Sequence, residues 1–447
     1  MASTNQPDNP SYKCEAATRQ LPSLEIVRDL AGGTPAMRKA GEKYLPSEEG
    51  ESRKAYFVRL SRSLLFNTFV KVREGLIGMA LKKRNPEADS DIELGDDVPP
   101  LIREHVEDID LAGSHLDVFA KDLFRKVVND GHAFIFVDME QAANLPSVTR
   151  AGNTRADSIA RRPYWVSYAK DQAINWKSDR IGGITTLTQI TFKECATESD
   201  GQYSEKEVVR YRVLRLPLQS VKVPGRPAVY GLMEWELWEE RESETDGVQV
   251  IMVDSGRTSL SRIPVVPIYA RRTGFLESEP PLLDLAHLNV GHWQQWSDLN
   301  CQLRMLVPIL EIRGDLVAPP VPATANTNAA KQQLSVGPGA ALQFKDDKGG
   351  VAYKAADPGA TQGMREALMD LEQRMSAIGL SIIAAKQDKE VTATEKVLDQ
   401  DERQSELSSW VRALKDGIEA SLQFHAIYLG LPSGGSVLMD LRRRAGE

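Results

Sequence analysis

The histidines are the first residues to consider for catalysis or metal binding. His287 and His292 lie five residues apart, which places them on different faces of a helix. This spacing favours neither a shared metal ion nor a catalytic pair. His425 falls on the apolar side of a predicted helix and is therefore interpreted as a structural residue. The other histidines are scattered along the chain: His105, His115 and His132.

Cysteines and known motifs do not indicate a catalytic centre either. The chain has three widely separated cysteines: Cys14, Cys195 and Cys301. An odd number without paired spacing predicts reduced thiols rather than disulfides or a zinc site, and Cys301 is interpreted as a small buried apolar residue. The sequence lacks the phosphate-binding loop, the dinucleotide fingerprint, the zinc-binding helix motif and the nucleophile elbow. We therefore expect no cofactor, no metal, no catalytic residue and no enzymatic activity.

The net charge also limits the class of function. With 55 basic and 63 acidic residues, the chain carries a net charge of -8 at pH 7. Proteins that grip DNA usually present a basic surface, because phosphate neutralisation supplies most of their affinity. The acidic balance therefore favours a protein that either ignores nucleic acid or lets it pass without holding it.

Length and hydropathy narrow the class further. A chain of 447 residues is long enough for more than one domain. No apolar run approaches the roughly 20 residues that a membrane-spanning helix needs. Residues 1–12 are polar, so we expect no signal peptide.

Two amphipathic helices near the end of the chain are the clearest elements. The first has one apolar face and is expected to end at Gly379 in a left-handed cap. The second begins with a capping box, Thr392 to Glu395, and runs to about Gly430. Their predicted apolar faces comprise Met364, Leu368, Leu371, Met375 and Ile378 in the first helix, and Leu407, Trp410, Val411, Leu414, Ile418 and Leu422 in the second. A polar connector, 384–391, joins the two helices.

The preceding chain alternates between helical and strand patterns. Residues 1–22 are predicted to form a flexible tail, and 23–162 a mainly helical part with one helix from Tyr56 to Met79. Gly131–Asp138 is a short apolar run typical of a buried strand. Residues 163–279 contain period-2 alternation and turn signals, which predict an antiparallel sheet.

A long helix and three short strand-like segments connect this part to the two amphipathic helices. Pro280–Leu306 carries a helical pattern without an interior proline after its first turn. Ile309–Arg313 has a strand-like pattern, and Ala340–Phe344 and Gly350–Lys354 are predicted to form a small β element. Taken together, the pattern predicts an α+β protein.

The order of these elements resembles that of the portal proteins of tailed bacteriophages. In those proteins wing, stem, clip, returning stem helix, tunnel loop and long wing helix follow one another. The collinear signals that carry the resemblance are Tyr44-Leu-Pro46, Gly131–Asp138, Pro280–Asn289, Met375–Leu380 and Thr392–Glu395. They span roughly residues 25 to 430.

The resemblance implies a portal-type division of the chain. The implied parts are a wing 23–279 with a helical part 23–162 and a β module 163–279, a stem helix 280–306, a clip 307–356, a returning stem helix 357–379, a tunnel loop 380–391, a long wing helix 392–430 and a C-terminal tail 431–447. The tail is too short for an extended helical crown.

The resemblance also implies residues that contact DNA and partners. The tunnel loop would face the DNA through Lys386, Gln387, Asp388, Lys389 and Glu390. Their charges cancel, so that the loop could touch phosphates without holding them. The clip would meet the packaging motor and connector proteins through Asp315, Val317, Val321, Asn326, Asn328 and Lys331. Arg442, Arg443 and Arg444 would face packaged DNA. For the loop and for these arginines, an ordinary solvated segment is the alternative.

On this resemblance the chain is a structural protein of the virion, made in the cytoplasm of a bacterial host. It would form a ring of about twelve subunits at one capsid vertex, through which DNA is packaged and ejected. The implied partners are double-stranded DNA without sequence specificity, the large terminase, head-to-tail adaptor proteins and the major capsid or scaffolding protein. Two alternatives stay open: another head–tail protein, such as an adaptor or minor head protein, and an enzyme of uncharacterised activity.

Overall fold

The structure, a computed structural model, describes residues 6–81, 91–139, 162–220, 228–243, 247–305, 309–313, 350–354, 358–383 and 393–439. It combines α-helices with antiparallel sheets, which confirms the predicted α+β class. Within these ranges, no helix has the length and apolar character needed to cross a membrane.

The α-helices of the described residues are α1 (Glu15–Ala31), α2 (Gly33–Ala40), α3 (Arg53–Arg62), α4 (Thr68–Ala80), α5 (Pro100–Val106), α6 (Leu116–Asp130), α7 (Leu283–Met305), α8 (Gln362–Ile383) and α9 (Ala393–Tyr428). The strands are β1 (Glu93–Leu94), β2 (His132–Met139), β3 (Pro163–Ala169), β4 (Ala173–Ile181), β5 (Ile184–Ser199), β6 (Glu205–Arg215), β7 (Leu218–Ser220), β8 (Val229–Tyr230), β9 (Glu234–Ser243), β10 (Gly247–Arg257), β11 (Val265–Tyr269), β12 (Arg272–Gly274), β13 (Glu277–Ser278), β14 (Ile309–Arg313), β15 (Gly350–Lys354) and β16 (Val437–Leu438).

The chain divides into two compact units. The first comprises Met1–Ala40, Leu65–Val290 and Arg374–Glu447. The second comprises Gly41–Leu64 and Gly291–Gln373.

A three-stranded antiparallel sheet in the order β11-β2-β3 lies at the centre of the first unit. Its middle strand β2 is the apolar run predicted as a buried strand, and Phe134, Ile135 and Val137 are fully buried. Ile135 pairs with Val266 of β11 on one side and with Ser167 of β3 on the other. Helices α6 and α9 pack against this sheet.

A second antiparallel sheet of the first unit has five strands in the order β10-β9-β6-β5-β4. Its buried residues Phe192 and Leu214 join a hydrophobic cluster with Phe134 and Tyr168 of the central sheet. The rings of Tyr168 and Phe192 stack with their centroids 4.0 Å apart. This sheet confirms the predicted antiparallel strands. In contrast to the expectation of one β module, however, β3 and β11 pair with β2 instead.

Helix α1 begins earlier than the sequence pattern predicts. It starts at Glu15, so residues 15–22 belong to a helix and their assignment to the flexible tail is wrong. The Cys14 sulfur accepts a hydrogen bond from the Ala17 backbone amide at 3.4 Å and caps the helix. A thiol is not among the usual capping groups, and Pro22 lies inside the helix. Because neither feature is typical of the first turns of a helix, the sequence pattern does not indicate that α1 begins at Glu15.

The predicted single helix from Tyr56 to Met79 is two helices, α3 and α4. Asn67 ends the break between them, since its Oδ1 accepts a hydrogen bond from the Val70 amide at 3.0 Å. Its Nδ2 also donates to the Leu30 carbonyl of α1 at 2.7 Å. An asparagine whose side-chain oxygen and nitrogen both hydrogen-bond to the backbone favours the start of a helix over its interior.

The second unit contains α3 and the segment Tyr44-Leu-Pro46. Arg59 of α3 is buried; its guanidinium donates to both carboxylate oxygens of Glu51, at 2.9 and 2.7 Å, and to the Pro46 carbonyl at 2.8 Å. Gln294 Nε2 donates to the Tyr44 carbonyl at 2.7 Å. The Tyr44-Leu-Pro46 motif is therefore a backbone segment held by two side chains.

Replacing Asn289 by alanine should destabilise the first unit. Asn289 is fully buried; its Oδ1 accepts from the Phe69 amide at 3.0 Å and its Nδ2 donates to the Phe66 carbonyl at 2.9 Å. Asn289→Ala leaves two backbone groups without these partners, and each such loss costs about 1–3 kcal/mol. We expect urea unfolding to show a loss of about 2–5 kcal/mol. The control Asn300→Ala removes an exposed intrahelical bond to the Trp296 carbonyl and should change stability by less than about 0.5 kcal/mol. Equal effects of the two variants would contradict this role for Asn289.

Candidate functional site

The residues predicted to contact DNA and partners lie outside the described residues. These are Lys386, Gln387, Asp388, Lys389 and Glu390 of the tunnel loop, Asp315, Val317, Val321, Asn326, Asn328 and Lys331 of the clip, and Arg442, Arg443 and Arg444 of the C-terminus. The structure instead describes the elements that flank these segments. These elements are strands β14 and β15, helices α8 and α9, and the segment that follows α9.

Strands β14 and β15 lie at the two ends of the predicted clip, 307–356, and the predicted strand segment Ala340–Phe344 lies outside the described residues. They pair antiparallel over five residues, from Ile309 opposite Lys354 to Arg313 opposite Gly350. The Arg313 guanidinium contacts Glu311 on the same strand, with Nε donating to Oε1 at 3.1 Å. The chain thus leaves β14 and returns into β15 at neighbouring backbone positions. Arg313 and Gly350, the described residues on either side of 314–349, are therefore partners in one ladder.

Helix α8 leads into the predicted tunnel loop and is longer than expected. It continues through Gly379 to Ile383, so the predicted helix end at Gly379 is wrong and residues 380–383 are helical. A single glycine inside a helix costs only about 1 kcal/mol relative to alanine, and no helix-breaking proline follows it. The connection between α8 and α9 is thereby shortened to 384–392.

Helix α9 follows this connection and is anchored by its C-terminal half. Its predicted apolar face is confirmed: Leu414, Ile418 and Leu422 are fully buried, and Leu407, Trp410 and Val411 nearly so. The helix starts at Ala393, directly after Thr392, which lies outside the described residues. Against the central sheet, Gly417 of α9 lies so close to Ile268 of β11 that a Cβ added at Gly417 would lie 2.5 Å from Ile268 Cγ1. Glycine is needed there because a side chain has no room.

A pair of buried histidines fixes the end of α9. His425 Nε2 and His105 Nδ1 of α5 are 2.9 Å apart, so one ring nitrogen donates and the other accepts. Burial lowers the pKa of His425 to about 3, helped by the proximity of His105 and Arg162. Burial, followed by the charge of Arg162, also lowers the pKa of His105, while Glu104 opposes this shift. The pair is therefore neutral at pH 7, which confirms the structural role predicted for His425.

The segment after α9 is held along the same helix. Gln423 Oε1 accepts from the Gly434 amide at 3.1 Å, and Glu419 Oε1 accepts from the Val437 amide at 2.9 Å. The short strand β16 then pairs with β1. These bonds fix the chain up to the edge of the described residues.

Two further, partly buried polar clusters tie the first unit together. In one, Arg28 Nη2 donates to Asp130 Oδ2 and Asp171 Oδ1, each at 2.8 Å. Lys170 Nζ donates to the Ser278 carbonyl at 2.6 Å, and burial lowers the pKa of this lysine to about 8. Because its amine is bonded to backbone carbonyls, Lys170 is placed to hold the chain rather than to act as a nucleophile.

The second cluster joins the two sheets. Arg212 Nε donates to Glu194 Oε1 at 2.7 Å, and Tyr168 donates to the same carboxylate. Asp138 accepts from Tyr164 at 3.2 Å, and burial raises the pKa of this aspartate. Every member has a partner within the cluster, which is the usual condition for burying charged groups.

The remaining candidate residues are not brought together. His132 contacts Ser278 Oγ through Nδ1 at 2.7 Å, His292 contacts Glu372 at 3.0 Å, and His287 is exposed. Cys301 is half-buried rather than buried, because its helix position is only partly covered. Among the described residues, no three histidine, cysteine or carboxylate side chains are grouped to hold a metal ion.

Several residues that position helices α5, α7 and α9 were not predicted from the sequence. Arg162 donates to the His105 carbonyl at 2.9 Å and to Asp108, and so fixes α5 beneath the histidine pair. Gly417 and Asn289 are the other omissions. A polar residue inside an apolar helical run, as at Asn289, and a glycine on an apolar helix face, as at Gly417, are signals that could have identified both.

Comparison with known proteins matches the part of the chain that contains α7, β14, β15, α8 and α9. Residues 281–429, about a third of the chain, match a family described as a domain of unknown function, DUF4055. The match begins two residues before α7 and ends just after α9, and therefore includes both ladder strands and α8. A search of curated proteins finds no match.

A Gly417→Ala variant tests the close approach of α9 to β11. Alanine is favoured over glycine in a helix by about 1 kcal/mol, so without a clash the variant would be more stable. We expect a loss of about 1–3 kcal/mol in urea unfolding, because the added methyl overpacks against Ile268. The control Gly78→Ala in α4, where nothing lies within 4 Å of the added Cβ, should be neutral or stabilising. Adding Ile268→Ala should make the Gly417→Ala change less costly; a strictly additive double variant would contradict the contact.

The histidine pair predicts a pH dependence of stability. In the unfolded chain both rings take up a proton below about pH 6.5, whereas His425 in the folded chain does so only near pH 3. The stabilisation is therefore complete above pH 6.5 and is lost as the pH falls, by up to about 1.4 kcal/mol per pH unit for each histidine. Unfolding measured from pH 7.5 to 5 should show this slope, and His425→Gln should lower stability at pH 7.5 but flatten the slope. An unchanged slope in the variant would show that other groups cause the dependence.

Proposed function

We propose that this chain is a portal-type subunit of a tailed bacteriophage, which forms a ring at one capsid vertex and provides the channel for DNA packaging and ejection. The ladder between β14 and β15 carries the proposal. It lies between α7 and α8, so that helix, strand, strand, helix and second helix follow in the order required of stem, clip, returning stem, tunnel loop and wing helix. A clip needs its two ends to be joined next to the stem helices. The pairing of β14 with β15 supports this assignment, because it joins the chain that enters the clip to the chain that leaves it.

The tunnel-loop assignment is supported by the position of 384–392 between two long helices. Lys386, Gln387, Asp388, Lys389 and Glu390 lie within this connection and carry two positive and two negative charges. A segment with cancelling charges can follow the phosphate backbone while releasing few counterions, so its hold on DNA is weak. The net charge of -8 is consistent with weak DNA binding along the whole channel.

The remaining assignments follow from the same order. Segment 314–349 would dock the large terminase during packaging and head-to-tail adaptors afterwards. The major capsid or scaffolding protein would contact the outside of the ring. Arg442, Arg443 and Arg444 would meet packaged DNA on the head side. The site of action would be the virion, and the energy for packaging would come from the terminase.

The two alternative functions, an adaptor or minor head protein and an enzyme, require different structural features. An adaptor or minor head protein would not need a stem and clip that return to one ladder, so the β14–β15 pairing favours the portal over this alternative. An enzyme would need convergent reactive groups. The polar clusters of the described residues are instead internally bonded, as those around Arg28 and Arg212 show.

Deleting Lys386 to Glu390 tests the proposed tunnel loop. We expect purified variant rings to match wild type in mass, because the buried half of α9 lies outside the deletion. Heads assembled with the variant should package or retain less DNA, because the channel loses the segment that contacts it. A control that replaces the same five residues by glycine and serine keeps the connection length and separates loop length from loop charge. Wild-type DNA content in the deletion variant would contradict the assignment, and loss of the ring in both variants would show that the segment serves assembly.

A further inference from the structure

Helix α3 of the second unit exposes an apolar and basic face. Its buried side is formed by Tyr56, Arg59 and Leu60. The opposite side exposes large apolar residues, Phe57 at 53%, Val58 at 38% and, just beyond the helix, Leu64 at 60%. Exposed cations surround them: Arg53, Lys54 and Arg62.

The composition of this face is unusual for a helix that meets only water. The segment 53–62 contains four basic residues and no acidic one. The Arg53 guanidinium lies over the Phe57 ring, 5.8 Å from its centroid. Contiguous exposed apolar residues rimmed by charge mark protein contact surfaces, and aromatic residues and arginine are enriched in the centres of such surfaces.

A surface of opposite charge occurs at the end of α5 in the first unit. Leu101 is 44% and Leu111 39% exposed. Glu104, one helical turn after Leu101, and Glu107 are exposed, and Asp110 is partly exposed in the following turn. We call residues Leu101, Glu104, Glu107, Asp110 and Leu111 the acidic face.

The part of the acidic face that carries Leu111 is held by hydrogen bonds. In the turn that carries Leu111, Asp108 Oδ1 accepts from the Gly113 amide at 2.7 Å and Asp110 Oδ1 accepts from the Ser114 amide at 3.1 Å. Arg162 donates to Asp108 Oδ2 at 2.7 Å from outside the turn. A surface that is already ordered loses little conformational entropy when it binds.

We propose that the exposed face of α3 in one copy of this chain binds the acidic face of a second copy. Each surface contains exposed apolar residues, Phe57 and Val58 on one side and Leu101 and Leu111 on the other. Each also has charges that the other lacks: Arg53, Lys54 and Arg62 against Glu104, Glu107 and Asp110. Complementary charge of this kind guides association and fixes the register of the contact.

The two surfaces are different, so the contact is heterologous. Each copy then uses its α3 face toward one neighbour and its acidic face toward the other, and such contacts close into rings when the rotation between copies permits. This inference rests on the proposed function, because it identifies the surfaces that would join neighbouring subunits of the ring. A nucleic-acid ligand could also bind Arg53, Lys54 and Arg62, but it would leave the exposed Phe57, Val58 and Leu64 unexplained.

Charge reversal of each surface, followed by mixing, tests the pairing. The first variant carries Arg53→Glu, Lys54→Glu and Arg62→Glu; the second carries Glu104→Lys and Glu107→Lys and keeps Asp110, whose carboxylate holds the turn that carries Leu111. Each alone should assemble at least roughly 100-fold more weakly than wild type, because like charges then oppose each other at every contact. An equimolar mixture should recover assembly with alternating subunits, since the reversed α3 face fits the reversed acidic face and the two unchanged faces also match.

Control variants reverse exposed charges elsewhere on the first unit. Lys177→Glu with Lys206→Glu, and separately Glu205→Lys with Glu207→Lys, should assemble as wild type does. Light scattering gives the mass of each preparation, and circular dichroism checks that each variant is folded. Recovery on mixing also excludes misfolding as the cause of lost assembly, because an unfolded partner cannot restore it.

The outcomes separate this inference from the proposed function. A wild-type chain that stays monomeric would overturn the ring and, with it, the pairing. A wild-type ring with reversed variants that assemble normally, or with a mixture that does not recover, would overturn the pairing alone. Binding of a DNA duplex that is lost in the α3 variant while the ring persists would assign α3 to nucleic acid and also overturn the pairing.

Discussion

The burial of the C-terminal half of α9 against the central sheet is the contact on which the rest of the structure depends. Leu414, Ile418 and Leu422 are fully buried, and Gly417 allows α9 to approach Ile268 of β11. The helix has 36 residues and is therefore roughly 54 Å long. A helix held firmly at one end can place the chain at its other end at a fixed distance from the sheet. The segment 384–392 precedes that other end, so the anchor of α9 determines where the proposed tunnel loop ends.

Buried polar groups give this anchor its specificity. The His105–His425 contact joins α5 to α9 as long as one of the two ring nitrogens keeps its lone pair, and Arg162 fixes α5 through the His105 carbonyl. The cluster around Arg28 and Asp130 holds α1 against the end of α6 in the same way. Apolar packing alone would allow these helices to shift along their axes, whereas paired polar atoms are satisfied in one register. We infer that the polar clusters serve position rather than chemistry.

The sequence predicted the elements whose pattern is local. The buried face of α9, strand β2 and the antiparallel strands follow from periodicity and were identified correctly, because side-chain spacing alone decides them. Boundaries that depend on tertiary contacts were wrong. Helix α1 starts at a cysteine cap, Asn67 separates α3 from α4 through its bond to Leu30, and α8 passes through Gly379. The pairing of β3 and β11 with β2 also joins residues far apart in the chain, which no local pattern reveals. The loop, clip and C-terminal residues proposed to contact DNA and partners came from order along the chain, and they stay predictions.

The proposed function requires this chain to assemble into a ring. The most direct test is the mass of the purified protein by light scattering, with negative-stain images of the same fraction. We expect a particle whose mass is about twelve times the 49.5 kDa of one chain, with a central channel wide enough for a DNA duplex. A particle of 49.5 kDa, or a compact dimer, at every concentration and salt condition tested would contradict it.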